Sequence, residues 1–98
     1  MSVRVPNDEL ERVGYVVVGR VQGVGFRRWI FRRAEQLGVA GTVRNLEGGS
    51  VEVMLLGRPL AVKQMRRDLE SGPRFARVDG IAEIPCSLDP DTVTFSIL

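Results

Sequence analysis

The sequence predicts an α+β sandwich: two helices on one face of a mainly antiparallel sheet of four or five strands. Three observations carry this. Runs of β-branched residues and alternating polarity mark strands at 13–21, 39–45, 50–56, 77–84 and near 93–97. Two stretches with apolar residues three and four apart fall between them, giving the order β-α-β-β-α-β plus one last strand. The length, 98 residues, suits one domain around one core.

Val13 to Val21 opens the pattern as a β-branched strand, buried on both faces for part of its length. Gly23-Val24-Gly25 ends it. From Phe26 onward, Phe26, Ile30, Ala34 and Leu37 form one helical stripe, and Gly38 suits the left-handed residue that stops a helix. Arg27, Arg28, Arg32, Arg33 and Glu35 lie mostly off that stripe, which reads as a solvated face. Val39 to Asn45 and Ser50 to Leu56 are two strands joined through Leu46-Glu47-Gly48-Gly49, a composition that suits a hairpin turn with positive φ. The second helix starts near Pro59, presents Ala61, Met65 and Leu69 on one face, and stops at Gly72-Pro73. Arg77 to Ile84 is a strand, Asp89-Pro90-Asp91 a turn, and Val93, Phe95 and Ile97 alternate in a final strand. This order is the ferredoxin-like split βαβ arrangement. Right-handed crossovers place the third strand between the first and second. The ends of strands one and two then meet at one sheet edge, about 10 Å apart, so residues 22–27 and Asn45 face a common small ligand.

Composition narrows the chemistry. There is no histidine, which excludes Ser-His-Asp and Cys-His catalysis and any histidine metal site. Cys86 is the single cysteine, so no internal disulfide forms, and a structural thiol in a reducing cytoplasm is expected. Of the 14 basic residues only Lys63 is not arginine; arginine offers a permanently charged planar fork suited to phosphate. No apolar run approaches the ~20 residues that span a bilayer. The start has no apolar stretch long enough for a secretory signal, and residues 1–12 are expected to form a flexible segment ahead of a domain at 13–98.

The segment Gly19-Arg20-Val21-Gln22-Gly23-Val24-Gly25-Phe26-Arg27 leaves a strand and opens a helix. The first N–H groups of a helix have no partners within it, and their dipoles converge on an anion. Gly23 and Gly25 can turn successive N–H groups inward, and Arg27 adds a fork for two phosphate oxygens. The dinucleotide fingerprint is absent because Arg28 stands where its third glycine would be, and no Gly-Lys-Ser/Thr of a P-loop follows.

Gly19 to Arg27 resembles the signature of the acylphosphatase family throughout its length. Gly41-Thr42-Val43-Arg44-Asn45 resembles the family's second motif, Gly-Trp-Val-Arg-Asn, and Gly49-Ser50-Val51-Glu52 resembles the Gly-x-Val-Glu after it. Ser71-Gly72-Pro73, Ala76, Val78 and Thr94-Phe95-Ser96-Ile97 fit the later pattern, so the resemblance covers about 13–98. It implies hydrolysis of a carboxyl-phosphate anhydride to carboxylate and inorganic phosphate. Gln22, Gly23, Val24, Gly25, Phe26 and Arg27 are the expected substrate-binding residues, and Arg27 and Asn45 the expected catalytic ones, Asn45 holding the attacking water. Thr42 stands in place of the tryptophan, and Leu46 in place of a frequent threonine, which implies a changed rate, not loss of function.

No cofactor or metal is expected. The expected partner is a small acyl phosphate, with no nucleic acid and no membrane, and the chain is expected to be a monomer. An RNA-recognition reading of the fold fails for want of stacking aromatics at 16–18 and 50–56. The alternative is an acylphosphatase-like domain that acts on carbamoyl phosphate, as the resemblance to domains of hydrogenase-maturation proteins implies, or that binds anions without turnover.

Overall fold

The computed structural model describes residues 10–98. Seven elements follow in order: β1 (Glu11–Arg20), α1 (Phe26–Leu37), β2 (Ala40–Asn45), β3 (Val51–Gly57), α2 (Pro59–Ser71), β4 (Arg77–Ile84) and β5 (Phe95–Ile97). The sheet order is β4-β1-β3-β2-β5, so β3 lies between β1 and β2 as the crossover rule requires. β1 runs antiparallel to β3 and β4, and β3 antiparallel to β2, while β5 joins β2 in parallel. β1 and β2 therefore point the same way, and both end at one edge.

Residues facing the helices alternate along β1, β2 and β3, while Met54 and Leu56 on the other face of β3 are buried as well. Val17 of β1, Val43 of β2 and Val51, Val53 and Leu55 of β3 are buried with Phe26, Ile30 and Ala34 of α1 and Val62, Met65 and Leu69 of α2. Both helices thus cover the same face. α1 closes on Gly38, whose φ of 69° lets the chain turn back, and Val39 N–H donates to the Ala34 carbonyl at 2.9 Å.

Several boundaries differ from expectation for local reasons. β1 starts at Glu11, two residues before Val13, because Glu11 and Arg12 find partners in Gly57 and Leu56 at the end of β3. The expected flexible segment falls mostly on residues 1–9, which lie outside the described residues. The fully buried stripe of α2 adds Val62 to the expected Met65 and Leu69, while Ala61 packs against the same core partly buried. Arg33 is not simply solvated: its Nε and Nη2 donate to Asp68 Oδ2 at 2.9 and 2.6 Å, tying α1 to α2. Trp29 and Phe31 pack, as their places beside the stripe imply, Trp29 near Phe26 and Phe31 edge-on to Phe95.

β4 and β5 lie at opposite edges, so 85–94 must cross the molecule. It passes the sheet end where β1 begins, and there Arg12 Nη1 donates to the Leu88 carbonyl at 2.8 Å. The expected turn forms around Asp89, which accepts from the Asp91 N–H at 2.8 Å through its side chain and from the Thr92 hydroxyl at 2.7 Å through its carbonyl.

Candidate active site

β1 reaches the sheet edge beside an irregularity in β4. The pairing goes from Val18 with Gly80 to Gly19 with Val78, leaving Asp79 of β4 as the extra residue of a β-bulge. Gly19 has φ 134°, and a Cβ there would sit 2.1 Å from the Arg77 carbonyl oxygen, so only glycine fits. The bulge bends β4, the strand that carries it, and Gly19 lies against it two residues before the glycine loop opens at Val21.

The loop 21–25 is held at both ends and in the middle. Val21 and Phe26 are fully buried, and Val24 packs against the core. Gly23 and Gly25 have φ of 75° and 76°, and a Cβ at either would meet no protein atom, so backbone conformation is what demands glycine. Gly25 caps α1 with no side-chain hydrogen bond, and its carbonyl accepts the first helical bond from Trp29 N–H at 3.0 Å. Among the described residues, none of the N–H groups of Gly23 to Arg28 donates to another backbone carbonyl. That leaves a row of unpaired N–H donors at the positive end of a helix.

β2 brings Asn45 to the same edge as its last residue. Side-chain alternation puts Asn45 on the face of Val43, the helix side, and Arg44 on the other. Arg44 is accordingly engaged elsewhere: Nε and Nη2 donate to Glu52 Oε1 and Oε2 at 2.9 and 3.1 Å across the hairpin. That carboxylate raises the Arg44 pKa, first by hydrogen bonding and then by charge. Thr42 shares the Arg44 face, so the missing tryptophan lies on the far side of the sheet from Asn45.

A cleft of about 260 Å³ opens between loop and strand, lined by Val21, Gly23, Gly25, Phe26, Arg27, Arg28, Asn45 and Ile97. Arg27 and Asn45, far apart in sequence, thus share one cleft. Arg27 is half-buried, and its Nη1 lies 3.3 Å from the Leu98 carbonyl, itself positioned by the Leu98 N–H bond to Val43 at 2.9 Å. A larger hollow of about 340 Å³ lies between α2 and β4, away from this chemistry.

The expected binding residues divide in the structure. Gly23, Gly25, Phe26 and Arg27 line the cleft; Phe26 is fully buried, so its N–H is what it has to offer an anion. Gln22 and Val24 are not among the lining residues. Gln22 turns its amide away: Nε2 donates to the Leu46 carbonyl at 2.9 Å and to the Ser50 carbonyl at 2.8 Å. The sequence pattern gives no site role to Ile97 and reads Arg28 as part of a solvated helix face. Ile97 arrives because β5 pairs with β2, a pairing no local pattern announces. Arg28 arrives because the first turn of α1 faces the cleft, and its place next to Arg27 is the signal that was available.

Comparison with known proteins gives the same direction. A family model for acylphosphatase matches residues 13–97. The chain is 51% identical over 70 residues to an acylphosphatase of Nitrobacter winogradskyi, covering 71% of each chain. It superposes on the structure of an acylphosphatase from Coxiella burnetii with a TM-score of 0.85 and 28% identity, covering 93% of this chain and 95% of that one. It is also 40% identical over its whole length to a segment making up 12% of carbamoyltransferase HypF2 from Cupriavidus necator. The chain belongs to the acylphosphatase family.

Proposed function

We propose that the chain is an acylphosphatase, hydrolysing acyl phosphates to carboxylate and inorganic phosphate by water attack on a phosphoryl group cradled in loop 22–27. The observation that carries this is the shared cleft of Arg27, the unpaired loop N–H groups and Asn45. An acyl phosphate already has a good leaving group, so the protein must mainly position the reactants and stabilise charge. The N–H groups of Gly23 to Arg27 and the Arg27 guanidinium take the equatorial oxygens, whose charge they oppose in the transition state. Asn45 holds the water by accepting with its carbonyl and donating with its amide. The water oxygen bonds to phosphorus as the bond to the acyl oxygen breaks, and its proton passes to a phosphoryl oxygen. Glu52 is tied to Arg44 on the other face of β2, so it is not the base. The phosphate-binding loop is thus 22–27, with Gly23 to Arg27 offering the N–H groups and Gln22 leading into them.

The partner in this reading is a small acyl phosphate, met by a monomer in the cytoplasm without nucleic acid or membrane. A free Cys86 fits a reducing compartment. No helix among the described residues is long and apolar enough to cross a membrane.

The test is hydrolysis of an aryl acyl phosphate with a chelator present. Fast turnover is expected for the wild type, with Arg27→Ala and Asn45→Ala each slower by about a hundredfold or more, the size of losing one preorganised donor. An inactive wild type that still binds phosphate would overturn the enzyme reading.

A further inference from the structure

The two halves of the site come from separate elements, and something must fix their spacing. The loop belongs to the β1–α1 connection and Asn45 to the β2–β3 hairpin. One side chain joins them. Gln22 Nε2 donates one hydrogen to the Leu46 carbonyl at 2.9 Å and the other to the Ser50 carbonyl at 2.8 Å. Those two residues close the hairpin on each other, Leu46 N–H donating to the Ser50 carbonyl at 2.8 Å. Leu46 directly follows Asn45, and Gln22 directly precedes Gly23 of the cradle. Both amide hydrogens are therefore spent on the neck of the hairpin, at a half-buried position, on carbonyls that also accept from the hairpin's own Leu46 and Gly49 N–H groups.

We propose that Gln22 is a positioning residue for the hydrolysis, holding Asn45 and its water at a fixed distance from the cradled phosphorus. Leu46, beside Asn45, has a side chain with no hydrogen-bonding group, so the loop grips the hairpin through its carbonyls. A shift of about 1 Å in a reacting group costs as much as a hundredfold in rate, so a clamp of this kind acts on kcat. The cradle itself is held independently by buried Val21 and Phe26, so phosphate affinity does not depend on the clamp.

The proposal rests on the role given to Asn45, and a double-mutant cycle separates the two. Gln22→Met, similar in length but without a donor, is made in the wild type and in Asn45→Ala, and kcat, KM and inhibition by inorganic phosphate are measured. In the wild type kcat should fall about tenfold or more, with phosphate inhibition changed less than about twofold. In Asn45→Ala the same change should cost less than about twofold, because the residue it positions is gone. An equal loss in both backgrounds, or a loss confined to phosphate affinity, overturns the positioning role while leaving Asn45 in place. An Asn45→Ala enzyme as fast as the wild type overturns the role of Asn45, and the clamp with it. Gln22→Glu serves where Gln22→Met fails to fold. As a carboxylate it faces two carbonyl oxygens with no hydrogen; protonated, it regains one donor. Its kcat relative to wild type should rise as pH falls through the carboxyl range, and a ratio flat with pH overturns the clamp.

Discussion

At the scale of single residues, the cleft holds one more charge than the proposed phosphoryl cradle uses. Arg28 lines it beside Arg27, and among the described residues it makes no hydrogen bond or ion pair. No carboxylate shares the lining. A cation free at the rim attracts a second negative group on the acyl side of the substrate. Arg28→Ala should raise KM by about two- to fivefold for an acyl phosphate with such a group, the size of an exposed charge pair. A neutral acyl phosphate should be nearly unaffected, and kcat should hold for both; equal rises in KM for the two substrates would show that Arg28 does not sense the acyl side. Arg27 and Asn45 were legible from sequence because motif and topology agree on where they go. The Gln22 side chain was not, since a glutamine in an anion loop reads as a ligand until its amide is seen turned toward Leu46 and Ser50.

At the scale of elements, strands and helices were legible where period and punctuation coincide. Gly38 ends α1, Pro59 starts α2 and Arg77–Ile84 is β4 as the pattern reads. Pairing was less so: β5 aligns in parallel with β2, with Gly41 opposite Phe95, through a connection whose course no residue pattern fixes. The register shift between Val18 and Gly19 also left no trace beyond glycines at 19 and 80, one in each paired strand, although glycine in a strand often marks a bulge. It has an energetic consequence that can be measured. A methyl group on Gly19 would meet the Arg77 carbonyl at 2.1 Å and the Asp79 nitrogen at 2.8 Å, in a backbone conformation with φ 134° that side chains disfavour. Gly19→Ala should therefore cost about 3 kcal/mol, combining strained φ with overpacking against backbone. Urea unfolding measures it, and a loss under about 1 kcal/mol, within the range of an ordinary substitution, would mean that β4 moves aside freely.

At the scale of the whole molecule, the absence of histidine leaves the charge balance steady near neutral pH and moves the interesting titration to the alkaline side. Tyr15, the single tyrosine, is buried in the core cluster at the centre of β1. Burial pushes its phenol above the usual value of 10.0; Arg66, whose guanidinium lies 5.3 Å from the ring centroid, pulls it partly back, and Glu83 and Glu11 push it further up. The folded chain thus keeps its phenolic proton to higher pH than the unfolded chain does. Below about pH 10 both states are protonated and Tyr15 adds no slope; above it the unfolded state ionises first, so stability falls as pH rises toward the folded value. Tyr15→Phe should remove that component, leaving a shallower fall, by at most about 1.4 kcal/mol per pH unit, the limit for one proton. Urea unfolding of both proteins from pH 8 to pH 11, with the phenolate followed by ultraviolet absorbance, measures the two sides of the linkage on one sample. Parallel stability curves would place the alkaline loss outside Tyr15. A steeper wild-type curve, with phenolate absorbance delayed until unfolding, would locate it at the centre of β1.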